Sequence, residues 1–527
     1  MREDWIECKI KDVGEITSGG TPSTSVSEYW DGDISWISPS DLTLYKEKFI
    51  SKGKKSITLN GLNKSSARLI PAGSVLFSSR APIGYVVIAK NELATNQGFK
   101  NVSPSKVVDT DFLYHFLKNS KQVAERVATG TTFKEISKDA FGKLTFSLPP
   151  LPEQRAIVKK LESLFSSLDA GVADLKKAQQ QLKIYRQAVL KKAFEGELTK
   201  EWRSKQYNLP SNDELLKLIN DERENYYQIQ LEEWQMAISD WEKNGDSERK
   251  PVKPKLSKLL NPITKEEFID DLFEIPTNWI WDRLENLIFE VKDGTHDTPK
   301  YQEKGIPFIT QKNIKNNDIT FDNIQFISNL DHQKFFARSN VKRNDIIMAM
   351  IGHNRGTCTI VKTDVVFSIK NVALFKFFEQ IQLNKYFLYF FQFTGGLEII
   401  LKKSKGGAQP FIGLTELRNW PIPYCSFLEQ SQIVKQIESR LSVCDSIEQN
   451  IKESLEKAEA LRQSILKKAF EGNLLTAQEL AACKLAEDYE PASVLLERIK
   501  AEQQNIKTKS IKEKLIKKGR VANLETI

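Results

Sequence analysis

The sequence has few of the residues that metal centres and disulfide frameworks require. Its 527 residues include five cysteines and four histidines, and the cysteines form no CxxC pair. Paired thiols are typical of structural zinc sites, and an even cysteine set is typical of secreted disulfide scaffolds. We therefore expect no structural zinc, no histidine-based metal site and no disulfide framework, and the scattered thiols indicate a reducing, cytoplasmic location.

Long apolar runs are also missing. No stretch approaches the roughly 18 consecutive apolar residues that a membrane span needs. The charged N-terminus, residues 1–5, is not followed by the apolar run of a secretory signal peptide. With 28% charged residues and a mean hydropathy of -0.41, the chain is expected to be soluble and to have no membrane partner.

Common catalytic motifs are absent as well. The sequence contains no GxxxxGK[ST] phosphate loop, no HExxH zinc motif and no GxSxG nucleophile motif. Glu7 and Lys9 form an ExK triplet of the kind that nucleases can carry, but such triplets arise by chance in a highly charged chain. The glycines between Gly14 and Gly20 lack the strand-turn-helix frame of a dinucleotide site. These absences favour a protein that binds and positions without catalysing.

The length and the charge distribution indicate several domains. A single core rarely exceeds about 250 to 300 residues, so this chain needs at least two. Its net charge of +8 is uneven: +4 in residues 1–150, -6 in 201–274, +5 in 275–427 and +6 in 498–527. Two separate basic blocks suit a polyanion that is contacted at two places, and ordinary surface variation is the alternative.

An internal repeat organises the chain. Residues 190–196 recur identically as residues 466–472, at an offset of 276. Glu153-Gln154 recurs as Glu429-Gln430 at the same offset, so the segments between these landmarks have equal lengths. The order is therefore variable block, repeated segment, variable block, repeated segment.

The variable blocks match more weakly but in the same order. Residues 34–38 correspond to residues 306–310, and residues 73–77 correspond to residues 344–348. Both blocks contain short β-prone runs separated by Gly, Pro, Asn and Asp, with a few helical stretches between them. Each block is therefore predicted to be a mixed α+β domain of about 150 residues.

The repeated segments have a helical period. Apolar residues recur at heptad spacing over about 40 residues, which predicts a helix of about 60 Å. Because a lone helix with one apolar stripe would be unstable, we expect the two copies to pair as an antiparallel coiled coil with a pseudo-twofold relation. The alternative is that each helix packs on its own block. The predicted helix-contact or partner-docking residues are Leu161, Leu168, Leu175, Leu182, Val189, Ile437, Ile451, Leu461 and Ile465.

Several motifs together resemble the specificity subunit of Type I restriction-modification systems, and the resemblance covers essentially the whole chain. The second helix entry departs from the pattern, because Pro421-Ile422-Pro423 lacks a double proline. The residues that carry the resemblance are Leu148–Gln154, Leu428–Gln430, Ser18–Pro22, Ile34–Ile37, Ser78–Gly84, Glu490–Ile499 and both copies of Leu-Lys-Lys-Ala-Phe-Glu-Gly.

The resemblance implies a domain plan. It consists of a first target recognition domain (1–150), a first spacer helix (151–200), an acidic and partly helical insert (201–274), a second target recognition domain (275–427), a second spacer helix (428–475) and a C-terminal segment with a basic tail (476–527).

The resemblance also implies a non-catalytic role. Each recognition domain would read one half of a bipartite, asymmetric target in double-stranded DNA. The helices would fix the spacing and dock methyltransferase subunits, two of them being expected, with restriction subunits in the full complex. S-adenosylmethionine, ATP and Mg²⁺ would then be bound by the partner subunits and not by this chain.

Polar residues in exposed loops are the candidates for DNA contacts, because such side chains read base edges or hold phosphates. An ordinary solvated loop is an equally good explanation for each of them, and a plain turn explains Gly20. The candidates are Gly20, Thr21, Ser40, Lys64, Arg80, Asn96 and Gln97 in the first block, and Thr295, His296, Gln311, Lys312, Asn313, Arg355 and Lys370 in the second.

Two other functions remain open from the sequence. An intrinsically active restriction nuclease or methyltransferase would cleave or methylate DNA as the isolated chain. A helical adaptor with no nucleic-acid role would show no salt-dependent DNA binding.

Overall fold

A computed structural model describes residues 2, 4–130, 134–243, 250–256, 258–268, 271–315, 318–407, 409–502 and 504. The chain folds into two compact units, one formed by residues 1–176 with 452–527 and the other by residues 177–451. The first unit therefore combines an N-terminal and a C-terminal part of the chain, and the second lies between these parts in sequence.

The first variable block is a mixed α+β domain. Its central strands are continuous apolar runs that are buried along their whole length, as is typical of strands covered on both faces. Asp109 accepts a hydrogen bond from the Phe112 amide at 2.9 Å and so caps the longest helix of the block. The strands are β1 (Ile6–Lys9), β2 (Gly14–Ser18), β3 (Trp30–Ile37), β4 (Phe49–Ile50), β5 (Lys55–Ile57), β6 (Leu69–Ile70), β7 (Val75–Ser78), β8 (Val86–Ala89), β9 (Leu93–Thr95), β10 (Phe99–Pro104) and β11 (Thr145–Leu148). The helices are α1 (Ile10–Val13), α2 (Leu59–Asn63), α3 (Thr110–Asn119), α4 (Lys121–Val127) and α5 (Lys138–Gly142), followed by the long helix α6 (Leu151–Phe194).

After α6, the insert contains α7 (Lys200–Arg203) and α8 (Asn212–Lys243). The strands of the second block are β12 (Ile280–Arg283), β13 (Glu290–Asp293), β14 (Ile306–Thr310), β15 (Ile314–Lys315), β16 (Asp318–Ile319), β17 (Gln325–Ile327), β18 (Ile346–Ala349), β19 (Cys358–Ile360), β20 (Ser368–Lys370), β21 (Val372–Lys376) and β22 (Pro421–Tyr424). Its helices are α9 (Leu284–Leu287), α10 (Asn329–Ser339), α11 (Asn384–Gln392), α12 (Thr394–Leu401) and α13 (Leu414–Arg418), followed by α14 (Phe427–Phe470) and α15 (Ala477–Lys484).

The two blocks have the same sheet topology. The order β2-β10-β7-β8 in the first block corresponds to β13-β21-β18-β19 in the second, and β5-β3-β9 corresponds to β17-β14-β20. In both, an equivalent strand pair is parallel: Trp36 of β3 lies opposite Ala94, and Phe308 of β14 lies opposite Ser368. The first block adds β4, which pairs in parallel with β8 at the edge of its sheet. The weak sequence matches at 34–38 and 73–77 therefore mark equivalent strands, and the predicted internal repeat and α+β class are confirmed.

Each long helix is fixed to its block by a buried glutamine. Gln154 in α6 accepts a hydrogen bond from the Asp109 amide at 2.8 Å and donates to the Pro149 carbonyl at 2.9 Å. Gln430 in α14 accepts from the Leu383 amide at 3.1 Å and likewise donates to a carbonyl in the preceding loop. Asp109 and Leu383 are the residues just before α3 and α11, so the repeated Glu-Gln pair marks the same junction twice.

The long helices pair antiparallel. In the first unit, Leu161 of α6 shares a core with Ile465 of α14, and Asp169 forms an ion pair with Arg462. As the residue number rises along α6, it therefore falls along α14.

The same pairing occurs within the second unit. Arg186 of α6 lies 2.6 Å from the carboxylate of Asp445 and 3.0 Å from that of Glu448, both on α14, and Val189 shares a core with Ile437. The predicted antiparallel pairing of the two helices is confirmed.

The identical ends of the two long helices belong to different cores. Phe194, at the end of α6, is fully buried in the second unit, with its ring centroid 5.4 Å from that of Tyr386 and 5.1 Å from that of Phe390. Phe470, at the end of α14, packs in the first unit with its ring centroid 5.5 Å from those of Phe112 and Phe116. Each variable block is thus completed by the helix end that follows the other variable block.

The insert and the C-terminal segment attach to different units. In the insert, Leu215 and Ile219 of α8 are buried in the core of the second unit, and Arg223 donates to the Asn286 carbonyl at 2.7 Å. In the C-terminal segment, helical residues 492–502 supply Leu495 and other side chains to the core of the first unit. Most of the basic tail lies outside the described residues.

Candidate nucleic-acid interface

The candidate residues of the first block gather where β2, β7 and β9 end. Gly20 follows β2; its amide donates to the Thr95 carbonyl at 2.8 Å and its carbonyl accepts from Trp36 Nε1 at 2.9 Å. A Cβ at Gly20 would lie 2.3 Å from the Ala67 backbone nitrogen, so a larger residue does not fit. The close approach at Gly20 is therefore to its own domain, which gives the residue a packing role, and a DNA contact there stays a prediction.

The loop between β9 and β10 presents two of the predicted polar side chains. Asn96 accepts a hydrogen bond from the Gly98 amide at 2.8 Å, which closes the loop into a tight turn. Gln97 is exposed at its tip and is hydrogen-bonded to the hydroxyl of Thr21. A Cβ at Gly98 would lie 3.4 Å from Cγ of Arg80, so Arg80 runs alongside this loop. With Gly20, five of the seven candidates are thus brought together.

The other two candidates lie at the margin of this group. Ser40 is exposed in a short 3-10 turn after β3, and its hydroxyl is 2.8 Å from that of Ser38. Lys64 is exposed at the end of α2, where its amide donates to the Asn60 carbonyl at 2.9 Å. The loop that follows Lys64 contacts Gly20, and Pro39, next to Ser40, lies close to Gly98, so both residues border the group.

A hairpin that was not predicted from the sequence packs against this group. Thr129 and Glu135 exchange both backbone hydrogen bonds, at 3.0 and 2.9 Å. The hairpin is attached to the loop after β7, because the Ile136 amide donates to the Ser79 carbonyl at 3.1 Å and Arg80 forms a β-bridge with Glu135.

Under the loop lies a buried lysine. The ammonium of Lys100 donates to the Ser79 hydroxyl at 3.0 Å and lies 3.3 Å from Oε1 of Glu135. It also reaches the Gln97 carbonyl at 3.5 Å. Burial lowers the pKa of Lys100, and the neighbouring carboxylate of Glu135 opposes that shift. Lys100 therefore ties the hairpin and the β9–β10 loop to the end of β7.

In the second block, the loop after β13 corresponds to the loop at Gly20. The Thr295 amide donates to the Ile369 carbonyl at 3.1 Å, and Thr295 is buried. His296 is exposed, with Nδ1 2.7 Å from Oδ1 of Asn371 and Nε2 3.0 Å from the carboxylate of Asp293. His296 therefore links the loop after β13 to the loop after β20.

Two further cations border this loop. Lys370 donates to the Thr298 hydroxyl, which places it beside the predicted loop. Arg338, on α10, donates to the buried carboxylate of Asp293 at 2.6 Å. Sequence reasoning missed Arg338, because α10 is much longer than its counterpart α2 and its position on the sheet is a tertiary feature.

The three consecutive candidates after β14 have different surroundings. Asn313 is buried, and its side-chain oxygen accepts from the Thr310 amide at 2.9 Å, so it closes a capping turn. The Gln311 carbonyl accepts from the Asn354 side chain at 2.9 Å. Lys312 is exposed. Of the three, Lys312 has the most exposed side chain.

Arg355 lies on the loop between β18 and β19, which corresponds to the loop of Arg80. Its Nε donates to the Ser404 hydroxyl at 3.1 Å and its Nη1 to the Gly352 carbonyl at 3.2 Å. Next to Ser404, Lys405 and Phe411 exchange both backbone hydrogen bonds at 2.9 and 2.8 Å. The hairpin of the first block therefore has an equivalent in the second.

A sequence signal for these hairpins exists. Gly130 and Gly406 lie at the 276-residue offset of the repeat, and so do Ile136 and Ile412. Both glycines have left-handed backbone conformations, with φ of +111° and +90°. Extending the search for the repeat from the helices into the blocks would have found them.

The predicted helix residues differ in exposure. Those that are buried between the helices or against a block can stabilise the units, whereas exposed ones are free to contact a partner. Leu161, Val189, Ile437, Ile451 and Ile465 are buried, Leu168, Leu175 and Leu182 are half-buried, and Leu461 is 51% exposed.

Within the described ranges, no group of three or more His, Cys, Asp or Glu residues is arranged to hold a metal ion. No helix in the described part of the chain is both long and apolar enough to cross a membrane.

Comparison with known proteins identifies the family. The model of the Type I restriction modification DNA specificity domain matches residues 2–178 and again residues 285–457. The Type I restriction enzyme EcoBI specificity subunit of Escherichia coli is 27% identical over 95% of this chain and 93% of its own length. The MjaIX specificity subunit of Methanocaldococcus jannaschii is 42% identical, but over 32% of this chain and 39% of that protein.

A solved structure shares the fold. It comes from work on complex assembly and conformational transition of the type I R-M system, and it matches with a TM-score of 0.60 at 16% identity, covering 90% of this chain and 99% of that one. Two matches to the family model, one on each topologically equivalent unit, account for the internal repeat. The chain therefore belongs to the family of Type I restriction-modification DNA specificity subunits.

Proposed function

We propose that the chain recognises a bipartite, asymmetric sequence in double-stranded DNA, with one recognition domain for each half. The observation that carries the proposal is a repeated group of polar side chains, here called the rim: in both units, loops at the ends of equivalent strands present an arginine and amide or imidazole side chains. The two rims differ in their side chains. Asn96, Gln97 and Arg80 lie in one, and His296, Lys370 and Arg355 in the other. Different donors and acceptors read different base edges, so the two half-sites differ.

The long helices set the distance between the half-sites and dock two methyltransferase subunits. In this role the chain is itself non-catalytic, and restriction subunits join the full complex. We infer that S-adenosylmethionine, ATP and Mg²⁺ are bound by these partners. Each long helix has 44 residues, about 66 Å at 1.5 Å per residue, which is ample for a spacer between two sites about one DNA turn, roughly 34 Å, apart.

Exchange of single domains tests this assignment. Replacing residues 1–150 by the corresponding block of the Escherichia coli relative, in the complete complex, should change one half of the methylated motif and leave the other half and the gap unchanged. Replacing residues 275–427 should change the opposite half. A motif that changes in both halves after either exchange would refute one domain for each half-site.

The role of the helices is tested separately. Replacing Leu175 and Leu182 by Ala should weaken the binding of methyltransferase subunits or alter the gap before it alters the preference for either half-site. Co-purification and motif analysis of the same variant measure both. An intact complex with a changed base preference would contradict the role of the helices.

The catalytic alternative is tested with the isolated chain. We expect neither cleavage nor methylation of DNA by the purified chain, and adenine methylation once the partner methyltransferase is added. Metal-dependent cleavage or S-adenosylmethionine-dependent methylation by the chain alone would favour the alternative.

A further inference from the structure

In both units, an arginine on the same loop is held by a residue beside the same hairpin. Arg80 lies between β7 and β8 and pairs with Glu135. Arg355 lies between β18 and β19 and donates to Ser404. The two blocks differ strongly in sequence, so two arginines held at equivalent places indicate a requirement that both domains share.

The first unit holds its arginine with a charged bridge. One oxygen of Glu135 lies 3.4 Å from Nη1 of Arg80, and the other lies 3.3 Å from the ammonium of Lys100. The side chain of Lys100 is 6% exposed, whereas those of Arg80 and Glu135 are 36% and 38% exposed. The buried lysine therefore fixes the carboxylate, and the carboxylate in turn fixes one edge of the guanidinium.

The side chain of Arg80 is still partly exposed, and it runs alongside the loop that contains Asn96 and Gln97. An arginine reads guanine best when its planar fork presents two parallel donors to the base edge. An unrestrained arginine has many rotamers and also contacts phosphates of any sequence. A fixed carboxylate behind the guanidinium reduces that freedom and favours the geometry of base reading over that of phosphate binding.

We propose that Glu135 is a specificity-determining residue, which orients Arg80 for base reading in one half-site. This role rests on the proposed function, because it presupposes that the first domain reads DNA. Glu135 itself is a positioning residue: it acts through Arg80, and Lys100 supports it from below.

The second unit provides the contrast. Ser404 and the Gly352 carbonyl, which hold Arg355, are neutral acceptors, so the attraction between opposite charges that acts between Glu135 and Arg80 is missing here. Arg355 is shared between two acceptors, one of which is a backbone carbonyl, so its orientation depends less on any one side chain. Loss of the Ser404 hydroxyl should therefore matter less than loss of the Glu135 charge.

The test compares Glu135→Gln, Arg80→Gln and the double variant in the complete complex with methyltransferase subunits. Binding is measured on duplexes that carry the methylated motif and on duplexes with a single base-pair change in one half or the other. Discrimination is the ratio of the two affinities. A bidentate arginine contact discriminates bases by about 5- to 150-fold. Glu135→Gln should lower the discrimination in one half by roughly threefold or more and leave the other half unchanged. In the Arg80→Gln background, Glu135→Gln should have no further effect.

Matched variants separate this role from general effects of charge or folding. Glu125→Gln makes the same charge change on α4 of the same block, where Glu125 pairs with Lys121, and should leave discrimination unchanged. Because Glu135→Gln leaves Lys100 without its counter-charge, the double variant Lys100→Met with Glu135→Gln removes both charges. It should show the same loss of discrimination in a stably folded chain.

The outcomes distinguish the two levels of the argument. A wild-type complex that binds all duplexes equally would overturn the proposed function itself. If the wild-type complex is selective, two results would overturn only the role of Glu135. One is a Glu135→Gln complex that is as selective as the wild type. The other is an equal loss of selectivity when Glu135→Gln is introduced into the Arg80→Gln background.

Discussion

Replacing Phe194 by Ala should destabilise the second recognition domain, although Phe194 follows the first recognition domain in sequence. Its ring is fully buried in the second unit and contacts the aromatic rings of α11. Phe470 is the same residue of the repeat, and it packs on α3 in the first unit. The two substitutions are chemically identical, and the structure places their effects in opposite units.

The expected magnitude follows from the burial. Truncating a fully buried Phe to Ala costs about 3 to 5 kcal/mol in free energy of unfolding. A domain has about 5 to 15 kcal/mol in total, so a large part of the stability of the second unit would be lost. Amides that exchange through opening of this unit would then exchange roughly 10²- to 10⁴-fold faster. Phe470 is only partly buried, so Phe470→Ala should cost less.

Hydrogen exchange resolved along the chain is the appropriate assay, since it reports the two units separately. Phe194→Ala should accelerate exchange in β18, β21 and α11 and leave β7, β10 and α3 at the wild-type rate. Phe470→Ala should do the reverse. If Phe194→Ala accelerated exchange in the first unit, or in neither, the assignment of the helix ends to the opposite cores would be refuted.

Three further predictions concern the helices, the C-terminal segment and the second rim. Leu161→Ala should cost about 2 to 5 kcal/mol in a denaturant titration, because Leu161 is fully buried. Leu461→Ala should change stability by less than about 0.5 kcal/mol, because its side chain is 51% exposed; equal losses would contradict the observed seam. The hydrogen bond from Lys160 lowers the pKa of Glu479 to about 2, below its ordinary value of 4.5. The contact between α15 and α6 should therefore be intact above about pH 4.5 and weaken as the pH falls towards 2. Protection factors of α15 amides at pH 5 and pH 3, which correct for the intrinsic pH dependence of exchange, measure this, and Glu479→Gln should abolish the difference. Arg355→Gln should weaken binding by about 1 to 3 kcal/mol, with relaxed selectivity in one half-site only; a uniform loss on all duplexes would indicate a phosphate contact instead.

The sequence predicted the repeated architecture because that architecture leaves local signals. Identical residues such as Phe194 and Phe470 appear at a constant offset, and the heptad positions of both long helices can be counted directly. Short apolar runs at equivalent positions correctly indicated equivalent strands, including β3 and β14.

What the sequence could not predict depends on contacts between residues that are far apart in the chain. Glu135 lies 35 residues from Lys100 and 55 from Arg80, and nothing near Glu135 in sequence indicates either partner. The two helix ends have identical sequences, so the sequence does not indicate which core each of them joins. That assignment depends on tertiary contacts. Exposure within the helices was also unpredictable from heptads alone, since the heptad pattern does not distinguish Leu461 from buried Leu161.

Methylome sequencing of a host with and without this gene, in the presence of its partner methyltransferase, tests the central claim most directly. The account predicts that adenine methylation at one split motif, with two different halves and a fixed gap, disappears when the gene is removed and returns when it is restored. Loss of no motif on removal of the gene would contradict it.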